Sequence, residues 1–265
     1  MPQARLVLWA HIPPSQPAIQ NLAKEKHFLD SVIFVSNWQK NEVERVFGSL
    51  PNATVIGNGI APAFENMFAS PAELLAAKKN RGAYTTIPYR GLQVLLRAMD
   101  RLARDTAIDL FSSMRVYQEG NGEYADLFRE AEKNASIANH GSVTQPELAQ
   151  HLRACAFLFY PSICAETFCI TATEAMAAGM EIIATRTGAL PETTMGMADL
   201  VDITSADGAV LVEDYRAAMQ RAIDRFTSNP QAWAEIMFDR LRRANEVFPW
   251  AKRAKEWEEY LQKLF

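Results

Sequence analysis

Cysteine is scarce in this chain, with three thiols in 265 residues: Cys155, Cys164 and Cys169. The number is odd, all three lie in or beside apolar runs, and no Cys-x-x-Cys or Cys/His ligand spacing occurs. This argues against a disulfide framework and against a zinc site, and reads as buried thiols in a reducing compartment. Positive charge is also short: 27 Lys and Arg against 31 Asp and Glu give a formal net charge of −4. Binding to nucleic acid, which needs a clustered cationic surplus to neutralise phosphates, is not expected. No run approaches the roughly 20 apolar residues of a membrane span, and MPQARLVLWAH lacks the basic-then-apolar form of a secretory signal, so a cytoplasmic location is expected. Internal repeats, low-complexity tracts and long Pro/Gly/Ser linkers are missing too. No Gly-x-Gly-x-x-Gly follows an early strand, since GNGIAP supplies only two of the glycines, and this counts against a dinucleotide enzyme.

What is present is a core: 49% of residues are hydrophobic, enough for a substantial interior. Short runs rich in Val, Ile and Leu at Arg5 to Ala10, Ser31 to Ser36 and Ala53 to Gly57 predict buried strands, with a helix from Asn37 to Gly48 between the last two. Further strands are expected at Gly82 to Thr86, Leu110 to Tyr117, Ser136 to Gly141, Cys155 to Pro161, Glu181 to Thr185 and Ala198 to Asp202. Helices fit at Gly91 to Ala103, Tyr124 to Asn134, Pro146 to Ala154 and in the segment containing Glu174. Strands spaced by helices require right-handed crossovers and a parallel sheet covered on both faces, an α/β doubly wound architecture. After about Asp207 only helices are expected, with Pro230 and Pro249 where helices begin and the missing N–H has no helical partner to lose. The strands after residue 80 make a complete Rossmann-like unit, whereas the three before residue 60 make only part of one.

The stretch AETFCITATEAMAAGMEIIAT, Ala165 to Thr185, carries Glu166 and Glu174 separated by seven uncharged residues. Open parallel sheets bind ligands at the carboxyl ends of their strands, where the next loop delivers a helix N-terminus. Strand Cys155 to Tyr160, loop Pro161 to Thr167 and a helix starting near Phe168 and ending by Gly179 have that form. The N–H groups of Phe168, Cys169 and Ile170 would then face an anion such as phosphate, with Glu166 at the mouth and Glu174 two turns along. Carboxylates accept without donating, which suits the vicinal hydroxyls of a sugar or ribose. On spacing alone, a first-turn acid followed by an exposed helical acid is the commoner meaning. The uncharged surroundings favour the ligand reading, because an unpaired carboxylate in a buried helix is costly.

Residues Pro161 to Glu192, PSICAETFCITATEAMAAGMEIIATRTGALPE, resemble the signature of the retaining GT-B glycosyltransferases of family 4: Pro-Ser, then Glu, seven residues, Glu-Ala-Met-Ala-x-Gly, and Gly-x-Leu-Pro-Glu. VIGNGIAPAF at Val55 to Phe64 is similar to that family's Asn-Gly-Ile-Asp loop, and YRGLQVLLRAM at Tyr89 to Met99 to its Lys-Gly-x-x-x-Leu-Leu-x-Ala segment. The resemblance implies a GT-B fold: a shortened N-terminal α/β portion (residues 1–60), a Rossmann-like nucleotide-sugar domain (61–248), and a last helix (249–265) packing back on the first part. It implies retaining, metal-independent transfer of a hexose from a UDP- or GDP-linked donor to a glycan or lipid-linked acceptor in polysaccharide or lipopolysaccharide synthesis, with no cofactor. The lack of an Asp-x-Asp motif agrees with this.

By the same resemblance Glu174 would hold the ribose hydroxyls and Glu166 the donor-sugar hydroxyls, while the backbone of Thr167, Phe168, Cys169 and Ile170 would hold phosphate or sugar. Arg90, where the family most often has Lys, would pair with the diphosphate, its planar fork reaching two oxygens. His11 resembles a histidine that lines the sugar pocket, although Ile12 replaces the Asp that often follows. Gly59 lies in the Asn-Gly loop, where positive φ is its expected use. The family's strand arginine is absent from Gly82 to Thr86, with Arg81 the nearest substitute or else a strand cap. His140 is expected to be structural, and Glu181 stands at a strand start without explanation. Three activities stay open: a minimal transferase, a half-enzyme needing a partner for the acceptor site, and a non-catalytic donor-binding module. Uncovered sheet edges favour a homodimer, and peripheral contact with the inner face of the membrane is compatible with a lipid-linked acceptor.

Overall fold

Parallel pairing organises the chain into two sheets. In this computed structural model, which describes residues 4–100, 102, 106–204 and 208–264, the first sheet holds β1 (Val7–Ala10), β2 (Ser31–Phe34) and β3 (Thr54–Val55) in that order. Helices α1 (Leu22–Glu25) and α2 (Asn37–Phe47) lie in the crossovers. Every residue of β2 is buried, as a central strand covered on both faces requires. The Ser36 hydroxyl accepts the Gln39 N–H at 3.0 Å and so opens α2, one of the side-chain caps that satisfy first-turn donors.

The second sheet contains β4 (Lys79–Tyr84), β5 (Ala107–Leu110), β6 (Ile137–Asn139), β7 (Cys155–Tyr160), β8 (Glu181–Thr185) and β9 (Asp199–Val201). Its order is β6-β5-β4-β7-β8-β9, parallel throughout. Numbered by appearance this is 3-2-1-4-5-6, the doubly wound order, and the direction of winding reverses between β4 and β7. Helix α3 (Pro71–Ala77) leads into β4. Between later strands run α4 (Leu92–Met99), α5 (Ala125–Lys133), α6 (Gln145–Ala154), α7 (Ile170–Ala177) and α8 (Leu190–Thr193). The core takes in three fully buried tyrosines, Tyr84, Tyr160 and Tyr215. Their hydroxyls stay satisfied: Tyr84 donates to Ile87 O at 2.8 Å, Tyr215 to Ile183 O at 2.7 Å, and Tyr160 to a carboxylate described below.

Three helices close the chain: α9 (Gly208–Ser228), α10 (Pro230–Val247) and α11 (Trp250–Leu264). Pro230 occupies the first turn of α10, and the Asn229 side chain caps it. Helix α11 returns to the first sheet, where Trp257 meets Trp9 edge-on with ring centres 5.0 Å apart. Among the described residues no helix is long and apolar enough to cross a membrane.

Several boundaries differ from expectation. The strand expected at Leu110 to Tyr117 is β5, Ala107–Leu110, and Met114–Tyr117 is a 3-10 turn. The more β-prone run lost because Ser113 caps that turn, its hydroxyl accepting the Arg115 N–H at 3.1 Å. β4 begins at Lys79 rather than Gly82. The expected helix over Gly91 to Ala103 is described as far as Met99, while Arg101, Ala103, Asp207 and Phe265 lie outside the described residues. Glu181 gains its explanation: buried at 3% exposure, it accepts Arg225 Nε at 2.8 Å and Trp233 Nε1 at 2.7 Å, the pairing a buried charge requires.

Candidate functional site

The loops after β4 and β8 both close on the loop after β7 because two positions carry no side chain. Gly91 has φ 94°, and a Cβ there would lie 1.9 Å from Pro161 O; Gly188 has φ 58°, and its Cβ would lie 2.2 Å from Glu166 O. Any larger residue forces backbone to move. Gly91 thereby presses Arg90 against the β7 loop, and the Ala189 N–H next to Gly188 donates to Glu166 O at 2.7 Å.

Glu166 is consequently not at the mouth of a crevice but buried against Arg90, 3% exposed. Oε1 accepts the hydroxyls of Tyr160 at 2.7 Å and Ser162 at 3.1 Å, and Oε2 accepts Arg90 Nη1 at 2.8 Å. Three donors make burial of the carboxylate tolerable. Burial works against the charge on Arg90, but Tyr160 and Glu166 outweigh it and raise the pKa of the guanidinium above its ordinary value. The cation expected to meet a diphosphate is therefore paired, in this state, with the acid expected to meet the sugar.

Arg90 also lines a cavity of about 260 Å³ at the carboxyl ends of β4 and β5, together with Thr85, Phe111, Ser113, Val143 and Gln145. The cavity borders the Arg90–Glu166 pair, which bridges the loops after β4 and β7 at the reversal where doubly wound sheets place ligands. Glu174, on the buried face of α7, reaches it through Gln145, whose side chain bonds to the carboxyl group. Burial pushes the Glu174 pKa up to about 8, the Gln145 contact opposing this in part. At neutral pH the group is mainly a neutral acid, able to donate as well as accept. A larger cavity, about 560 Å³, opens at the amino end of β8 between α9 and α10. It lies away from these residues, and two of its arginines are engaged by Asp199 and Glu181.

Residues 81–229, more than half of the chain, match the family described as "Glycosyl transferases group 1". The chain belongs to that family. Among curated relatives it is 30% identical over 177 residues to the MMP alpha-(1->4)-mannosyltransferase of Mycolicibacterium hassiacum, a match covering 66% of this chain and 40% of that protein. It is 24% identical over 242 residues to the GDP-mannose-dependent alpha-(1-6)-phosphatidylinositol monomannoside mannosyltransferase of Mycolicibacterium smegmatis, covering 79% and 59%. The chain thus spans 40% and 59% of the length of these relatives. A solved structure of Anabaena Alr3699/HepE in complex with UDP and glucose superposes with a TM-score of 0.75 at 16% identity, over 98% of this chain and 72% of that one. The fold is of GT-B type.

The remaining expected site residues fall in three places. α7 begins at Ile170, not Phe168, because Cys169 is its left-handed N-cap with φ 76°. A side chain held in that region costs roughly 1–3 kcal/mol and marks a constrained site. Phe168 turns inward, edge-on to Phe248 at 6.1 Å. Thr167 joins the two sheets, its hydroxyl donating to His11 O at 2.8 Å and its carbonyl accepting the Ser36 hydroxyl at 2.6 Å. Near it, Glu192 of the Gly-x-Leu-Pro-Glu segment accepts the first-turn N–H groups of Asn37 and Trp38, both at 2.9 Å. The His11 imidazole packs on Trp9 at 4.5 Å, burial lowers its pKa, and no hydrogen bond among the described residues joins it to Glu166 or Arg90. Gly59 does not have the positive φ expected of it; it is needed because a Cβ would lie 2.7 Å from the Trp250 ring. Arg81 cannot stand in for the missing strand arginine, being committed to Asp109 at 2.6 Å.

Tyr160 and Gln145 were not singled out from the sequence, and Ser162, Gly91 and Gly188 stood in the quoted motifs without a role. Tyr160 was findable as the carboxyl-terminal residue of a buried parallel strand, where such sheets gather ligands. The partners of Gly91 and Gly188 lie in distant loops and leave no local signal.

Proposed function

We propose that this chain transfers a hexose from a nucleoside-diphosphate sugar to a glycan or lipid-linked acceptor, with retention of configuration and without a catalytic metal, as a family 4 enzyme. The observation that carries the reading is the Arg90–Glu166 pair at the β4/β7 reversal, beside a cavity whose far wall leads through Gln145 to a neutral Glu174. An arriving diphosphate takes Arg90 from Glu166, which leaves a carboxylate oxygen for the sugar hydroxyls. The ribose hydroxyls go to Glu174, and the first turn of α7 from Ile170 lies along the phosphates. As the anomeric C–O bond breaks, negative charge collects on the leaving diphosphate. A fixed guanidinium and a helix terminus stabilise that charge more than they stabilise the intact donor, which is what accelerates the step. His11 and Thr167, from opposite sides of the contact between the sheets, border the sugar end. The similar proteins include a GDP-mannose-dependent enzyme and one solved with UDP, which supports either base.

In this reading residues 1–60 are the acceptor side, 61–248 the donor side and 249–265 the returning helix, in a cytoplasmic protein touching the membrane peripherally when its acceptor is a lipid. One observation favours a second reading: among the described residues the first sheet has three strands, with β1 at its edge. A half-enzyme that binds donor and needs a partner for the acceptor would look the same. Incubation with UDP- and GDP-hexoses and a glycan acceptor separates the two. Release of nucleoside diphosphate, with a product of unchanged anomeric configuration by NMR, supports the transferase; binding of donor without release assigns the half-enzyme; absence of both removes the proposal.

A further inference from the structure

The carboxyl end of β5 carries a cluster that the transferase reading does not use. Asp109 in β5, His140 just after β6 and His151 in α6 each present one ligand atom, and these atoms lie within 4.8 Å of one another. His140 Nε2 is 2.9 Å from Asp109 Oδ1, and the two imidazole centres are 4.5 Å apart. In a tetrahedral zinc site with bonds of about 2.0–2.1 Å, neighbouring ligand atoms are about 3.3 Å apart, so modest side-chain rotations complete the set. We propose that Asp109, His140 and His151 bind a zinc ion, two imidazoles and one carboxylate occupying three positions and water the fourth. Two nitrogen ligands select zinc over magnesium or calcium, which prefer all-oxygen sites.

The surroundings hold the ligands in place. Asp109 is 4% exposed, and both its oxygens have outer donors: Arg81 Nη1 on Oδ1 at 2.6 Å and the Cys155 thiol on Oδ2 at 3.6 Å. Oδ2 keeps a lone pair beyond the thiol, and the second lone pair of Oδ1 faces His140 Nε2, a contact the ion would replace; outer donors of this kind orient metal-bound carboxylates. The Cys155 sulfur lies behind the carboxylate as a donor to Oδ2 and is not among the converging ligand atoms. Phe111 stacks on His140 with ring centres 4.7 Å apart and planes 14° from parallel, and meets His151 edge-on at 5.1 Å. Phe111 is also a wall of the cavity beside Arg90. The ion is a structural pin: it ties β5, the end of β6 and α6 together behind that wall and touches no reacting atom. Sequence spacing conceals it, because the three ligands belong to three elements that only the fold unites.

The test uses the full, tag-free chain, stripped with a chelator and titrated with zinc by calorimetry, with metal content measured after desalting. The expected result is one zinc per chain and a higher thermal midpoint. His151→Phe keeps an aromatic ring beside Phe111 and His140→Gln keeps a polar side chain; each should weaken zinc binding at least about ten-fold, as loss of a ligand should exceed the 10–100-fold effects of outer partners. His27→Gln, at an exposed histidine elsewhere, should bind as wild type. Cobalt(II) should give a tetrahedral ligand-field spectrum without thiolate charge transfer. The proposal is overturned by absence of stoichiometric zinc, by wild-type affinity in both ligand variants, or by a cobalt–thiolate band. If one variant fails to fold by circular dichroism, the other decides.

Discussion

Replacing Glu174 by Gln should change how stability depends on pH. The unfolded carboxyl group ionises near 4.5, whereas in the folded protein burial holds it protonated up to about 8. Between those limits the folded state binds the extra proton, so the contribution of Glu174 to stability is full below about pH 4.5, declines as pH rises, and is gone above about 8. At about 1.4 kcal/mol per pH unit the interval corresponds to about 4–5 kcal/mol, an upper figure, yet large beside the roughly 5–15 kcal/mol that holds a domain folded. Lys78, whose pKa burial lowers to about 7, acts in the opposite sense as pH rises further. The comparison is therefore the difference between wild type and Glu174→Gln, from which Lys78 cancels. Urea unfolding followed by tryptophan fluorescence across the range from about pH 5 to 8.5 should show wild type losing stability relative to the variant by several kcal/mol. Parallel profiles, within about 0.5 kcal/mol, would refute the burial argument. The same chemistry predicts that ribose hydroxyls donating to Glu174 favour its ionised form, so nucleotide binding near neutral pH should release a proton and its heat should vary with the buffer.

Gly91→Ala should lower stability by about 2–4 kcal/mol, since it combines a left-handed backbone with a clash against Pro161; because Arg90 is displaced, nucleotide affinity should fall with it, and a wild-type thermal midpoint would contradict this. Lys78→Met should cost about 3 kcal/mol in urea unfolding: the ammonium donates to Leu152 O at 3.1 Å, Cys155 O at 2.7 Å and Ala178 O at 2.6 Å, bonds that the thioether cannot replace; a loss below about 1 kcal/mol would remove its bracing role. The β1 edge and the exposed faces of Trp9, Trp250 and Leu261 around Trp257 should make the protein a dimer that Trp9→Glu disrupts, and light scattering of a wild-type monomer at micromolar concentration would dispose of that expectation.

Much of the fold was legible because local and tertiary preferences agreed. β7 and β8 are six- and five-residue runs with apolar centres and no competing turn, and their expected spans match closely. The β5 region was misread because Asp109 interrupts its pattern; the acid is acceptable only because Arg81 and His140 come to meet it from 28 and 31 residues away. Glu181 was opaque for the same reason, its partners being Arg225 and Trp233. At the site, Glu166, Glu174 and Arg90 were visible as residue types in a pattern, but not their states. The pairing of Arg90 with Glu166 spans 76 residues, and the neutrality of Glu174 follows from packing that no local window contains.

Whether Arg90 meets the diphosphate of a nucleotide is decided by calorimetry of the full chain with UDP and GDP. Loss of a charge-assisted hydrogen bond is worth about 1.5–3 kcal/mol, so the account predicts that at least one nucleotide binds wild type and that Arg90→Ala weakens it by about 10- to 100-fold. Failure of both nucleotides to bind, or unchanged affinity in Arg90→Ala, would contradict it.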